Sequence, residues 1–186
     1  MNKIRNHTKE LIVLTILLAV AVSVVNAAVF VYYPISITAS WVKPNVYFAK
    51  GSNAGKTDLS GNIGVNIGED GTSLQITIHP SRRQTTYYKN VSLIVNEYSS
   101  AVYIGFNVTT PFTNIDEAYL IVRPVSGGAP LLTVNLKNSG LQGWSRTIDA
   151  NSKVRIDLRF KIDKGTEDSE TATVQLVYSF STESPP

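Results

Sequence analysis

Few residues of this chain are equipped for chemistry. His79, followed by Pro80, is the one histidine beyond the first 27 residues, and there is no cysteine. A serine–histidine–aspartate triad needs a nucleophile on a tight elbow, and no such motif is present; a zinc cage needs more ligands than one histidine supplies. His79 therefore reads as a surface histidine at a strand end. Glycosidic hydrolysis requires two convergent carboxylates. Asp157 and Asp163 instead sit on the polar side of an alternating segment, where Arg155, Arg159 and Lys161 are their natural partners. The acidic run Asp163, Glu167, Asp168 and Glu170 offers oxygens of the kind calcium takes, but its spacing fits no loop template, and a solvated hairpin loop explains it as well. The expectation is a chain that is not an enzyme and uses no cofactor.

Two triplets offer a different chemistry. Asn90-Val91-Ser92 and Asn107-Val108-Thr109 are N-glycosylation acceptors. Both asparagines alternate with apolar residues, so strand phase places them outward, and at least one is expected to carry a glycan. A third match, Asn6-His7-Thr8, falls in the leader. The pairs Tyr32-Tyr33 and Tyr87-Tyr88 suggest a sugar-binding face, although tyrosines in strands more often pack half-buried.

The elements that position these residues begin with a leader. Lys3, Arg5 and Lys9 precede an apolar run from Leu11 to Val25, and Val25-Asn26-Ala27 presents small residues for cleavage between Ala27 and Ala28. The expectation is export, with residues 1–27 removed. That takes away three of the seventeen cations and one of the fourteen anions, leaving a near-neutral chain. Lys153, Arg155, Arg159 and Lys161 are interleaved with Asp157 and Asp163, so no basic field is expected to draw nucleic acid. An exported domain without cysteine must rely on β-packing, association or glycans for stability.

From Ala28 onward the period is two, broken by Gly, Asn, Pro and Ser. Strands are predicted at 45–48, 63–67, 74–78, 87–95, 101–109, 118–122, 131–136, 145–148, 153–162 and 174–180. The turn Gly68-Glu69-Asp70-Gly71 makes a hairpin of the second and third. Val91, Leu93 and Val95 are expected to pack against Val102, Ile104, Phe106 and Val108, with Asn90, Ser92, Asn107 and Thr109 on the opposite faces. The fold class is all-β, a single jelly-roll or β-sandwich domain over 45–186.

The segment 28–38 stands apart. Val29, Val31, Tyr33, Ile35 and Ile37 share one face of a predicted strand at what becomes the mature terminus, where chains are normally polar and loose. Residues 39–44 are a linker. Three fates compete for this apolar ribbon. It is a strand of its own sandwich; or, with the leader uncut, Leu11–Tyr33 spans a membrane; or it leaves its own subunit and completes the sheet of the next, which head to tail generates an open filament. Pro34 marks a kink in the ribbon, since proline lacks a ladder donor.

With that ribbon, the stretches Val46-Tyr47-Phe48-Ala49-Lys50-Gly51-Ser52-Asn53-Ala54, Tyr87-Tyr88-Lys89-Asn90-Val91, Val102-Tyr103-Ile104-Gly105-Phe106-Asn107-Val108 and Val177-Tyr178-Ser179 resemble the archaeal bundling pilins, which are similar to the bacterial TasA biofilm-matrix fibre proteins. The resemblance implies a secreted subunit of an extracellular, cell-surface filament. Its partners would be identical subunits joined by strand donation and neighbouring filaments bundled sideways in a biofilm. The membrane would be met only through the leader. Some members of the wider family are described as metalloproteases, and the zinc motif they need is missing here. A type IV pilin would be cleaved before its apolar run, after a small residue, whereas Lys9-Glu10 precedes Leu11. The competing reading is a membrane-anchored or monomeric surface domain that binds glycan or another envelope protein.

Overall fold

A computed structural model describes residues 2–25, 33–40, 42–162, 169–183 and 185. The chain divides into two compact units, Met1–Trp41 and Val42–Pro186. In the first, helix α1 (Asn2–Val25) covers the apolar run of the leader. No helix among the described residues is long and apolar enough to cross a membrane. Ala27, Ala28, Val29 and Val31 lie outside the described residues. Residues 33–40 carry no regular secondary structure, although the alternation predicts a strand through Thr38. A strand exists only as a paired element, because its N–H and C=O groups need a ladder partner.

The second unit is all-β. Its strands are β1 (Val46–Lys50), β2 (Gly64–Ile67), β3 (Leu74–Thr77), β4 (Thr85–Asn96), β5 (Val102–Thr110), β6 (Glu117–Pro124), β7 (Leu132–Asn135), β8 (Gly140–Ile148), β9 (Ser152–Lys161) and β10 (Thr173–Ser179). They form an antiparallel five-stranded sheet in the order β1-β4-β9-β6-β7, a three-stranded sheet β10-β5-β8 and the hairpin β2-β3. The predicted hairpin turn is a short 3-10 turn, Glu69–Gly71, with Asp70 at φ 54° and Gly71 at φ 70°. One core joins both sheets, with Ile94, Val154, Ile156 and Phe160 on one side and Val102, Ile104, Phe106 and Val108 on the other. β9 is the central strand of the five, with Val154, Ile156, Leu158 and Phe160 buried and Lys153 and Lys161 exposed.

A bulge in β4 changes the expected phase. Tyr88 pairs with Leu158 and Ser92 with Ile156, so Lys89, Asn90 and Val91 together stand opposite Asp157. Asn90 turns the chain there at φ 46°, a left-handed conformation that asparagine tolerates better than most residues. Beyond the bulge, Ser92, Ile94 and Asn96 point inward and are fully buried, while Leu93 and Val95 are only half-buried. The expectation that Leu93 and Val95 form the core and that Ser92 faces out is therefore corrected. The backbone of Gly51 passes so close that a Cβ there would fall 2.0 Å from the Asn90 carbonyl oxygen. Glycine is what lets the start of the β1–β2 connection lie against the bulge.

Asn96 ties the two sheets at one end. Its Nδ2 donates to the carbonyls of Ser100, Ile148 and Asp149 at 3.0, 3.2 and 2.9 Å, and its Oδ1 accepts the Tyr98 N–H at 3.0 Å. Asn96→Ala is expected to lower unfolding stability by about 2–4 kcal/mol, since a buried network loses its hub. Urea unfolding checks this, and a loss below ~1 kcal/mol would mean that water replaces the amide.

Candidate functional site

A cleft of about 620 Å³ opens into the core. Phe106 from β5 and Ile156, Leu158 and Phe160 from β9 line it. Ser73 to Ile78 contribute six consecutive lining residues, and Ser169 to Ala172 contribute four. A strand offers alternate residues to a face, so an unbroken run means that the cleft follows a strand edge. β3 pairs only with β2, and β10 only with β5, so each has an edge without a ladder partner among the described strands. The inward residues of these two strands, Leu74, Ile76, Val174 and Leu176, are half-buried, in contrast to the buried rows of β5 and β9. The sandwich is thus open along one line, with apolar side chains beneath it.

Glu170 stands at the cleft. Its carboxylate accepts from the Thr113 N–H and hydroxyl and from the Asn114 N–H, fixing the β5–β6 connection to the approach of β10. Burial works to raise its pKa, and these donors, with Lys137 nearby, outweigh that and hold it below the usual glutamate value. Of the acidic run considered for calcium, Asp163, Glu167 and Asp168 lie outside the described residues. No group of three His, Cys, Asp or Glu fit to hold a metal occurs among the described residues.

Of the five apolar residues on one face of the N-terminal ribbon, the three that are described, Tyr33, Ile35 and Ile37, are 82, 82 and 88% exposed. Exposure of this degree is unusual for neighbouring large apolar side chains.

The two sequons differ. Asn90 is half-buried in the bulge, donating from Nδ2 to Ser52 Oγ at 2.9 Å. Asn107, also half-buried, lies on the outer face of β5, where its Nδ2 reaches Gln175 Oε1 at 3.3 Å, beside exposed Thr109. Tyr87 is outward and Tyr88 is buried, so the pair presents one ring rather than a platform.

His79 is not a free surface histidine. Its Nδ1 lies 3.0 and 2.9 Å from the two oxygens of Asp58, a side chain only 3% exposed. Asp58 also accepts the N–H groups of Ser60, Gly61 and His79. Burial opposes ionisation, but the His79 side chain and these backbone donors hold the Asp58 pKa below its usual value. Beneath the pair, burial first and the Asp58 charge second push the Tyr88 hydroxyl up to about 12. No residue completes a nucleophilic triad in this arrangement as described; it clamps the β1–β2 connection to the end of β3. Sequence reading missed Asp58 because its partner is distant, although Asp58-Leu59-Ser60-Gly61 has the form of an Asx turn. Asp58→Asn is expected to cost about 1–3 kcal/mol, since an amide offers one acceptor oxygen where two are used. A depressed carboxylate stabilises the fold above its unfolded pKa and loses that gain as pH falls through the folded value. The variant's stability should therefore fall less on acidification than the parent's, and parallel acid limbs in urea titrations would refute the clamp.

Asp157 was expected among outward charges that pair along the strand. It is on the outer face, but completely buried there. Asn90 donates its N–H to Oδ1 at 2.7 Å, and the Tyr87 hydroxyl reaches Oδ2 at 3.2 Å. Arg155 Nε lies 3.2 Å from Oδ1 and Arg123 Nε 3.4 Å from Oδ2. The carboxylate fills the space that the bulge leaves, and two guanidinium groups close over it.

Compared with known proteins, the chain matches no family model and no curated protein sequence.

Proposed function

We propose that this chain is a structural subunit of an extracellular filament, polymerising when residues 28–38 of one copy, freed by cleavage after Ala27, enter the cleft between β3 and β10 of the next. The observation that carries the reading is the open line itself: two strand edges without a ladder partner among the described strands, over half-buried apolar residues. An extended segment with apolar residues at alternate positions is what such a line takes, because its backbone pairs with the edges while one face fills the core. Tyr33, Ile35 and Ile37, exposed in the single chain, supply part of that face. One copy's segment in another copy's cleft is a heterologous contact, which continues indefinitely unless rotation closes it.

A glycan on Asn107 fits this reading, since it would stand on the outer face of the three-stranded sheet, away from the cleft side. It would add solubility to a β-surface of low charge. Electron microscopy of a chain lacking residues 28–38 tests the proposal: dispersed subunits support it, and filaments of unchanged form overturn it.

A further inference from the structure

We propose that the outer face of the five-stranded sheet is a docking surface for an acidic polysaccharide. Lys153, Arg155, Arg159 and Lys161 occupy alternate positions of β9 on that face. Arg123 of β6 stands directly opposite Arg155, and exposed Lys89 stands at the bulge. Two carboxylates there are paired internally: Asp157 is covered by Arg123 and Arg155, and Glu117 is bound to Arg159 at 2.6 Å. Glu97, which accepts the Tyr47 hydroxyl at 2.6 Å, keeps its charge at the end of β4.

The result reverses the cancellation expected from sequence. One carboxylate beneath two guanidinium groups leaves a positive charge over, and Lys153 and Lys161 extend it toward both ends of the strand. Successive cations along β9 are separated by about 6.8 Å, or twice that across Asp157. The full chain carries a formal net charge of only +3, so this field comes from segregation of charge more than from its amount.

The aromatic residues decide the class of polymer. Single-stranded nucleic acid is held largely by stacking its bases on open rings. Here the Tyr119 ring is covered by the Arg159 guanidinium, 4.7 Å from its centroid, and Tyr87 is anchored through its hydroxyl to Asp157. The face therefore offers more cations than open rings, which suits a polymer carrying regularly spaced carboxylates.

The test titrates the purified full-length chain with polygalacturonate at low salt and at about 0.2 M salt. Binding is expected at low salt and should weaken as salt rises. Lys153→Gln with Lys161→Gln, both exposed positions, should weaken it roughly tenfold to thirtyfold. Lys43→Gln with Lys56→Gln removes the same charge elsewhere and should leave binding unchanged. Absence of binding at low salt, or equal loss with both pairs, overturns the proposal. So does an oligothymidylate that binds as tightly as polygalacturonate and responds to the same pair, since nucleic acid would then be the class.

Discussion

Deletion of residues 28–38 is expected to abolish filament formation completely, leaving subunits that sediment as monomers and still melt cooperatively. The size of the effect follows from what the segment would bury. Five apolar side chains, Val29, Val31, Tyr33, Ile35 and Ile37, at ~1.5–3 kcal/mol each give roughly 8–15 kcal/mol as an upper bound, before ordering costs. Main-chain bonds to the free edges of β3 and β10 would add to this. Two further arms separate donor from acceptor. A synthetic peptide of residues 28–38 should bind the deleted chain and raise its Tm, because a ligand that binds only the folded state stabilises it by mass action. Ile76→Glu places a carboxylate on the half-buried rim of the cleft, so it should block polymerisation and peptide binding together while the domain remains folded by circular dichroism. Filaments from the deleted chain, or a peptide that leaves its Tm unchanged, would remove donation as the assembly mechanism.

The strands were legible because one sheet face meets the core and the other meets solvent, which writes a period of two into the chain. β9 displays this best, and all ten predicted strands of the domain are present, β8 starting earlier, at Gly140. What failed was depth and phase. Asp157 falls on the outer face as alternation requires, yet alternation cannot tell that the strand beside it bulges and closes over the carboxylate. The same bulge inverted the expected placement of Leu93 and Val95, and its one local sign is an asparagine, with no glycine to announce a left-handed turn. The cleft was illegible for another reason. Leu74, Ile76 and Val174 read only as members of ordinary strands, and only the arrangement of sheets shows that none of the described strands lies between β3 and β10. His79 was visible as a residue but not as half of a pair, since Asp58 precedes it by 21 positions.

Asp157→Ala is expected to destabilise the domain by about 3–5 kcal/mol, the usual range when one partner of a buried charge cluster is removed. Three losses coincide. Arg123 and Arg155, directly opposed across β6 and β9, are left as like charges without the carboxylate between them. The Asn90 N–H, at the left-handed residue of the bulge, loses its acceptor. A gap opens under Tyr87. Asp157→Asn separates these terms, because its side-chain oxygen still accepts from Asn90 while the counter-charge is gone; it should retain part of the loss, about 2 kcal/mol. If the alanine and asparagine variants unfold at the same urea concentration, the clamp on the bulge contributes nothing and the cluster acts through charge alone. If neither differs from the parent by more than ~1 kcal/mol, the two arginines have simply turned outward to water. That result would also enlarge the exposed cationic face, so polygalacturonate should then bind the variants more tightly than the parent, giving the same substitution a second, independent readout.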